Sequence, residues 1–163
     1  MASIRFAIFP HSKPLYLQKL KAIIQFNNLP KTLKTSVVKN ALLEYIPMLG
    51  YQCKKMVYNF VSKEMLLEMN QRYLKHNTHT DIISFVYSEN KEIEAEFYIS
   101  FWAIEESAKT TGENIENELL RVIVHGPLHC MGWSDKTEKE QKAMRAQEDK
   151  FIELFHVKHN ENV

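Results

Sequence analysis

The sequence predicts an α+β fold, a mixed sheet of about four strands with about five helices and a metal site on a central helix. Three observations carry that prediction. Short runs rich in β-branched and aromatic residues recur along the chain, as in Met56-Val-Tyr-Asn-Phe-Val61 and Ile82-Ile-Ser-Phe-Val86. Longer runs with apolar residues at helical spacing lie between them. One of these helical runs ends in two histidines four residues apart, His125 and His129, followed by Gly132 and Asp135.

In chain order, Ile4 to Phe9 alternates enough to be a first strand. Leu15 to Phe26 has Leu17, Leu20, Ile23 and Ile24 at helical spacing, and Leu33 to Leu49 repeats this with Val37, Val38, Ala41, Leu42, Tyr45 and Ile46. Pro47 and Gly50 mark the end of that second helix. Tyr51 to Val61 holds a strand. Ser62 then reads as an N-cap for a helix carrying Met65, Leu66, Met69 and Tyr73. Thr80 to Tyr87 and Ile93 to Trp102 are the remaining strands. Ala103 to Lys109 is a short helix, Asn114 to Met131 a long one bearing both histidines, and Lys136 to Leu154 an amphipathic, charged last helix. Beyond about Phe155 the chain reads as a frayed tail.

At 163 residues, with no internal repeat or linker, the chain reads as one domain over residues 1–163. No apolar run approaches the length of about 18 residues that a membrane span needs. The N-terminus lacks a signal segment, and the two cysteines, Cys53 and Cys130, are too few for a disulfide scaffold. A cytoplasmic protein with reduced thiols is expected. The net charge of +1 conceals an asymmetry. Residues 1–75 hold twelve Lys/Arg against three Asp/Glu, and residues 76–163 hold nine against seventeen. A basic half in a near-neutral protein fits a polyanion met by one region, or simply Lys-rich solvated helix faces.

On a helix, residues four apart share a face, so both imidazoles can reach one ion. Gly132 ends the helix and lets the chain return, which brings Asp135 within reach as a third donor; Ser134 or a water is the alternative. Two His and one carboxylate with an open fourth position form a catalytic rather than a structural zinc pattern. A zinc peptidase of this spacing carries Glu after the first His, and here that residue is Gly126. Pro127 between the histidines predicts a local bend, with Gly126 relieving the clash before a proline. His156, His159, His76 and His79 read as exposed. His11 is uninformative, and Cys130 reads as a small buried side chain.

These residues resemble a known family. The run His125-Gly-Pro-Leu-His129-Cys-Met-Gly132-Trp133, followed by an acid-rich helix with Met144, is similar to the metal motif of the YbeY family of bacterial endoribonucleases. Upstream, Met69-Asn70, Tyr73 and Thr80-Asp81-Ile82-Ile83-Ser84-Phe85 resemble the family's Leu-Asn, Tyr-Arg and Thr-Asp-Val-Leu-Ser-Phe segment, and Glu96-Phe-Tyr-Ile-Ser100 its Gly-Asp-Ile-x-Ile-Ser strand. The likeness spans roughly residues 62–149. It departs in three places: Asp135 stands where the family usually has a third His, Leu74 where it often has Arg, and Ala95-Glu96 where it has Gly-Asp.

The resemblance implies a metal-dependent endoribonuclease, acting on single-stranded RNA in maturation of the 16S ribosomal RNA 3′ end and in ribosome quality control. It implies one Zn2+ per chain on His125, His129 and Asp135, with another divalent metal possible because a carboxylate suits harder ions. Ribosomal RNA and the small ribosomal subunit are the implied partners, with no DNA and no membrane. Lys54, Lys55, Arg72 and Lys75 are candidates for phosphate contacts. Arg121 is either a fifth or a partner of Glu118 three residues earlier. Tyr73, Tyr87 and Trp133 are candidates for base stacking or for core packing. The sequence names no general base. The alternatives are a ribosome-assembly factor with a structural metal, and a metal-dependent hydrolase of another substrate.

Overall fold

A computed structural model of the chain describes residues 21–161. Four strands form one mixed sheet: β1 (Ile23–Asn27), β2 (Gln52–Val61), β3 (Ile82–Val86) and β4 (Glu92–Ser100). Among the described residues five α-helices accompany it: α1 (Thr35–Met48), α2 (Lys63–Met69), α3 (Phe101–Thr111), α4 (Ile115–Cys130) and α5 (Glu138–Glu161). The strand order is β1-β2-β4-β3, with β1, β2 and β4 parallel and β3 antiparallel to β4. An α+β fold with about four strands and about five helices is what the sequence predicts.

Three expectations need revision or fall outside the described residues. The strand expected at Ile4–Phe9 lies outside them, as does most of the helix expected from Leu15. The end of that expected helix is instead β1. Its side chains alternate, Ile24 buried and Ile23 exposed, and Ile24 pairs with Met56 in parallel register. Phe26 stacks on Tyr58 with ring centroids 4.7 Å apart. Two adjacent isoleucines satisfy a helix template and a strand template alike, and the β2 edge decides between them. The expected frayed tail is the last two turns of α5. Phe155 is buried there, the His156 ring hydrogen-bonds Asn117 Oδ1 at 2.7 Å, and Lys158 pairs with Glu44.

The core lies on one sheet face. Met56, Tyr58 and Phe60 of β2 and Phe97 and Ile99 of β4 meet buried side chains of α1, α4 and α5. Helix starts follow from local chemistry: Ser62 Oγ accepts from the Met65 amide, as expected, and Asn114 Oδ1 accepts from the amides of Glu116 and Asn117.

Helix α4 runs unbroken through Pro127, so the expected bend does not interrupt it. Proline at this position removes the amide that would serve the carbonyl of Ile123. Tyr58, fully buried on β2, donates its hydroxyl to that carbonyl at 3.1 Å and replaces the missing donor. Gly126 also serves a packing need that its own segment does not reveal. A Cβ there would stand 2.6 Å from two ring atoms of Phe97 and 3.2 Å from Ile82 Cδ1. The missing side chain lets α4 rest directly on β4 and β3, which fixes the height of the histidines above the sheet.

Candidate metal centre

The structure brings His125, His129 and Asp135 together. The two Nε2 atoms are 3.0 Å apart, and Asp135 Oδ2 is 3.6 Å from each. The point equidistant from these three atoms lies about 2.0 Å from each, the bond length zinc takes to imidazole nitrogen and carboxylate oxygen. The donor set therefore fits a small divalent cation without rearrangement. The return of the chain is local: the amides of Met131, Gly132 and Trp133 bond back to carbonyls of Pro127, Leu128 and His129, and Gly132 adopts φ +90°, a left-handed value that glycine tolerates.

Each ring is held from behind. His125 Nδ1 lies 2.7 Å from Oε1 of Glu148, a buried carboxylate on α5, and the His129 ring hydrogen-bonds the backbone at Trp133. The electrostatics follow. Burial disfavours a charge on His125, but the hydrogen bond and charge of Glu148, with Asp81 and Asp135, outweigh it and raise its pKa. Burial and the neighbouring His125 charge push His129 down to about 4. Two nitrogens 3.0 Å apart hold one proton readily and a second only in acid. A cation that displaces this proton meets three donors already converged.

His125 and Asp135 line a cavity of about 160 Å³ whose wall includes Asp81, Arg121 and Glu148. Asp81, at the start of β3, has one enclosed carboxylate oxygen without a hydrogen-bond partner, and burial raises its pKa. Sequence reasoning assigned no site role to Asp81 or Glu148. For Glu148 a signal existed: it falls on the stripe of α5 that buries Met144, Phe151 and Phe155. Cys130 carries a thiol that burial pushes up to about 12, so it stays a neutral, partly buried side chain beside His129.

The expected basic residues separate into three groups. Arg121 is enclosed by carboxylates, 2.7 Å from Asp149, 3.3 Å from Glu148 and 3.5 Å from Glu118, so its guanidinium is a structural hub that includes the expected Glu118 pair. Lys54 pairs with Glu94, and Lys55 lies opposite Glu94 in the sheet register. The Asp81 carbonyl accepts from the amide of Ser100, at the far end of β4 from Glu94, so the backbone position of both lysines is about 20 Å along the sheet from Asp81. Arg72 and Lys75 lie on and just after a π-helical turn (Asn70–Leu74), and neither lines the cavity. Tyr73 on that turn is 54% exposed and meets Phe85 edge-on at 5.4 Å, whereas Trp133 packs against the core. His76 and His79 are exposed, as expected, and His79 lies edge-on to Trp102. His156 and His159 are partly buried, His159 against Phe155.

A sequence model of the family described as Endoribonuclease YbeY matches residues 20–156. The chain belongs to the YbeY family. It is 46% identical over 103 residues to the Endoribonuclease YbeY of Flavobacterium psychrophilum, which covers 63% of this chain and 74% of that protein. It is 32% identical over 136 residues to the Endoribonuclease YbeY of Chlorobium limicola, covering 83% of this chain and 94% of the relative. The solution structure of TM1509 from Thermotoga maritima matches in fold, with a TM-score of 0.64 at 24% identity over 86% of this chain and 93% of that one. The YbeY match extends the resemblance read from residues 62–149 back across β1 and α1. Among the described residues, no helix is long and apolar enough to cross a membrane.

Proposed function

We propose that this chain is a metal-dependent endoribonuclease that hydrolyses phosphodiesters of single-stranded RNA, with ribosomal RNA of the small subunit as its substrate. The observation that carries the reading is the triangle of His125, His129 and Asp135 beside the cavity at the end of α4. Membership in a family of endoribonucleases gives the reaction class. In this reading His125, His129 and Asp135 hold one Zn2+, or a harder divalent ion that the carboxylate favours. The bound ion would lower the pKa of water and polarise a phosphoryl oxygen.

The protein's own groups do the rest. Glu148 and the Trp133 backbone orient the two imidazoles. Asp135 would lower the positive charge of an occupied centre relative to a site with three His, so activity would have its optimum at higher pH. Arg72 and Lys75, both exposed, are the candidates for neutralising backbone phosphates of the bound strand, and Tyr73 offers an exposed ring on which a base can stack. Lys54 and Lys55 would meet only RNA long enough to run about 20 Å along the sheet.

The test is cleavage of a 5′-labelled single-stranded RNA by the purified, zinc-loaded chain, with a double-stranded RNA of the same sequence beside it. The expected result is endonucleolytic cleavage of the single strand, abolished by a chelator and by His129→Ala while the variant still folds. Cleavage that survives both treatments would remove the metal reading. No cleavage of any single strand by metal-loaded protein would remove the nuclease reading.

A further inference from the structure

We infer that Glu148 is a positioning residue that fixes the ring of His125 for cation binding and so sets the affinity of the centre. The inference rests on the metal reading above. It starts from how the two carboxylate oxygens are divided. Oε2 faces the arginines, 3.3 Å from Arg121 Nη1 and 3.8 Å from Arg145 Nη1. Oε1 lies against His125 Nδ1, at the shorter distance of 2.7 Å. Arg121 is shared with Glu118 and Asp149, so the arginines partner one oxygen of this buried carboxylate and leave the other to His125.

That contact does something the arginines cannot. An imidazole that donates Nδ1–H to a carboxylate is held in the tautomer whose Nε2 lone pair is free, and His125 Nε2 is the atom that faces His129 and Asp135. The bond also fixes rotation of the ring about its Cβ–Cγ axis. The two histidines are therefore secured by different means. His129 is tied to the turn of its own helix at Trp133, and His125 to a different helix through Glu148. Asp135 shortly precedes α5 and Glu148 lies within it. Docking of α5 on α4 thus supplies both the third donor and the support for the first.

Zinc titration of the full chain against a chromophoric chelator tests this, comparing wild type, Glu148→Gln and Asp149→Asn. Asp149→Asn removes the charge of the nearest partner of Arg121 but leaves His125 untouched. Glu148→Gln is expected to weaken zinc binding about 10- to 100-fold, and Asp149→Asn less than about twofold. Equal losses in both variants would assign the effect to the arginine network and overturn the inference, as would wild-type affinity in Glu148→Gln. Failure of wild type itself to bind zinc would remove the metal reading and this inference with it. A second readout does not depend on the variant folding: nitrogen-15 spectra of zinc-loaded wild type should show His125 protonated at Nδ1 and metal-bound at Nε2. Metal binding through Nδ1 of His125 would also overturn the inference.

Discussion

Helices α1 and α4 end in nearly the same way and do different things. Each carries a proline near its C-terminal end and gives way to a glycine in the left-handed region, Gly50 at φ +79° after Pro47 and Gly132 at φ +90° after Pro127. In each, the glycine amide bonds back into the last turn, to Pro47 in one and to His129 in the other. The difference lies in what surrounds the proline. Pro47 is exposed, and so is Leu43, whose carbonyl it deprives of a donor, so solvent can serve that group. Pro127 is buried, and its orphaned carbonyl on Ile123 needs the hydroxyl of Tyr58. Before Pro47 stands Ile46, a core residue; before Pro127 stands Gly126, pressed on the ring of Phe97. A common helix ending becomes a donor platform when it is sunk into the sheet and neighbouring elements satisfy the polar groups it leaves unpaired.

The comparison breaks most severely at Gly126. Gly126→Ala places a methyl group within the Phe97 ring, and α4 must lift; thermal unfolding should show a loss of about 3 kcal/mol, together with weaker zinc binding. An alanine variant as stable as wild type would show that the close approach is dispensable. Tyr58→Phe should cost about 2 kcal/mol, because it strands a buried carbonyl. Pro127→Ala in that background should recover much of the loss, since alanine at this position supplies the backbone amide that Tyr58 replaces. No recovery in the double variant would mean that the Tyr58 hydroxyl matters for another reason.

Acid sharpens the contrast further. In the metal-free protein the folded-state pKa of His129, about 4, lies below its unfolded value of about 6.5. The unfolded chain therefore binds a proton first. The contribution of neutral His129 is fully present above about pH 6.5 and is lost as pH falls toward 4. Denaturant titrations of wild type and His129→Ala should converge over that window, and parallel pH profiles would contradict the assignment. The smallest effect is expected at the other ending. Pro47→Ala should change stability by less than about 1 kcal/mol and leave zinc binding unaltered.

What was legible in the sequence follows the range of the interactions involved. The His125, His129 and Asp135 triad was readable because helical spacing and one glycine place all three within eleven residues. The strands at β2, β3 and β4 were readable because each has a run of β-branched and aromatic residues. β1 was not, because Ile23-Ile24 fits either period until the edge of β2 is available to pair with it. The last turns of α5 were not, because contacts from α1 and α4 to Lys158 and His156 hold them. Glu148 was missed because its partner His125 is 23 residues away on another helix, and the role of Gly126 because Phe97 lies on β4. In the candidate site, as in the fold, the clustered side chains were local in sequence and their supports were not.

The central claim is that the ending of α4 is a metal centre. Elemental analysis of purified wild type, Asp135→Ala and the His125→Ala/His129→Ala double variant, each after equilibration with zinc and removal of the excess, tests it most directly. The account predicts about one equivalent of zinc in wild type, a reduced content in Asp135→Ala and none in the double variant. Wild type without metal, or a double variant that retains a full equivalent, would contradict it.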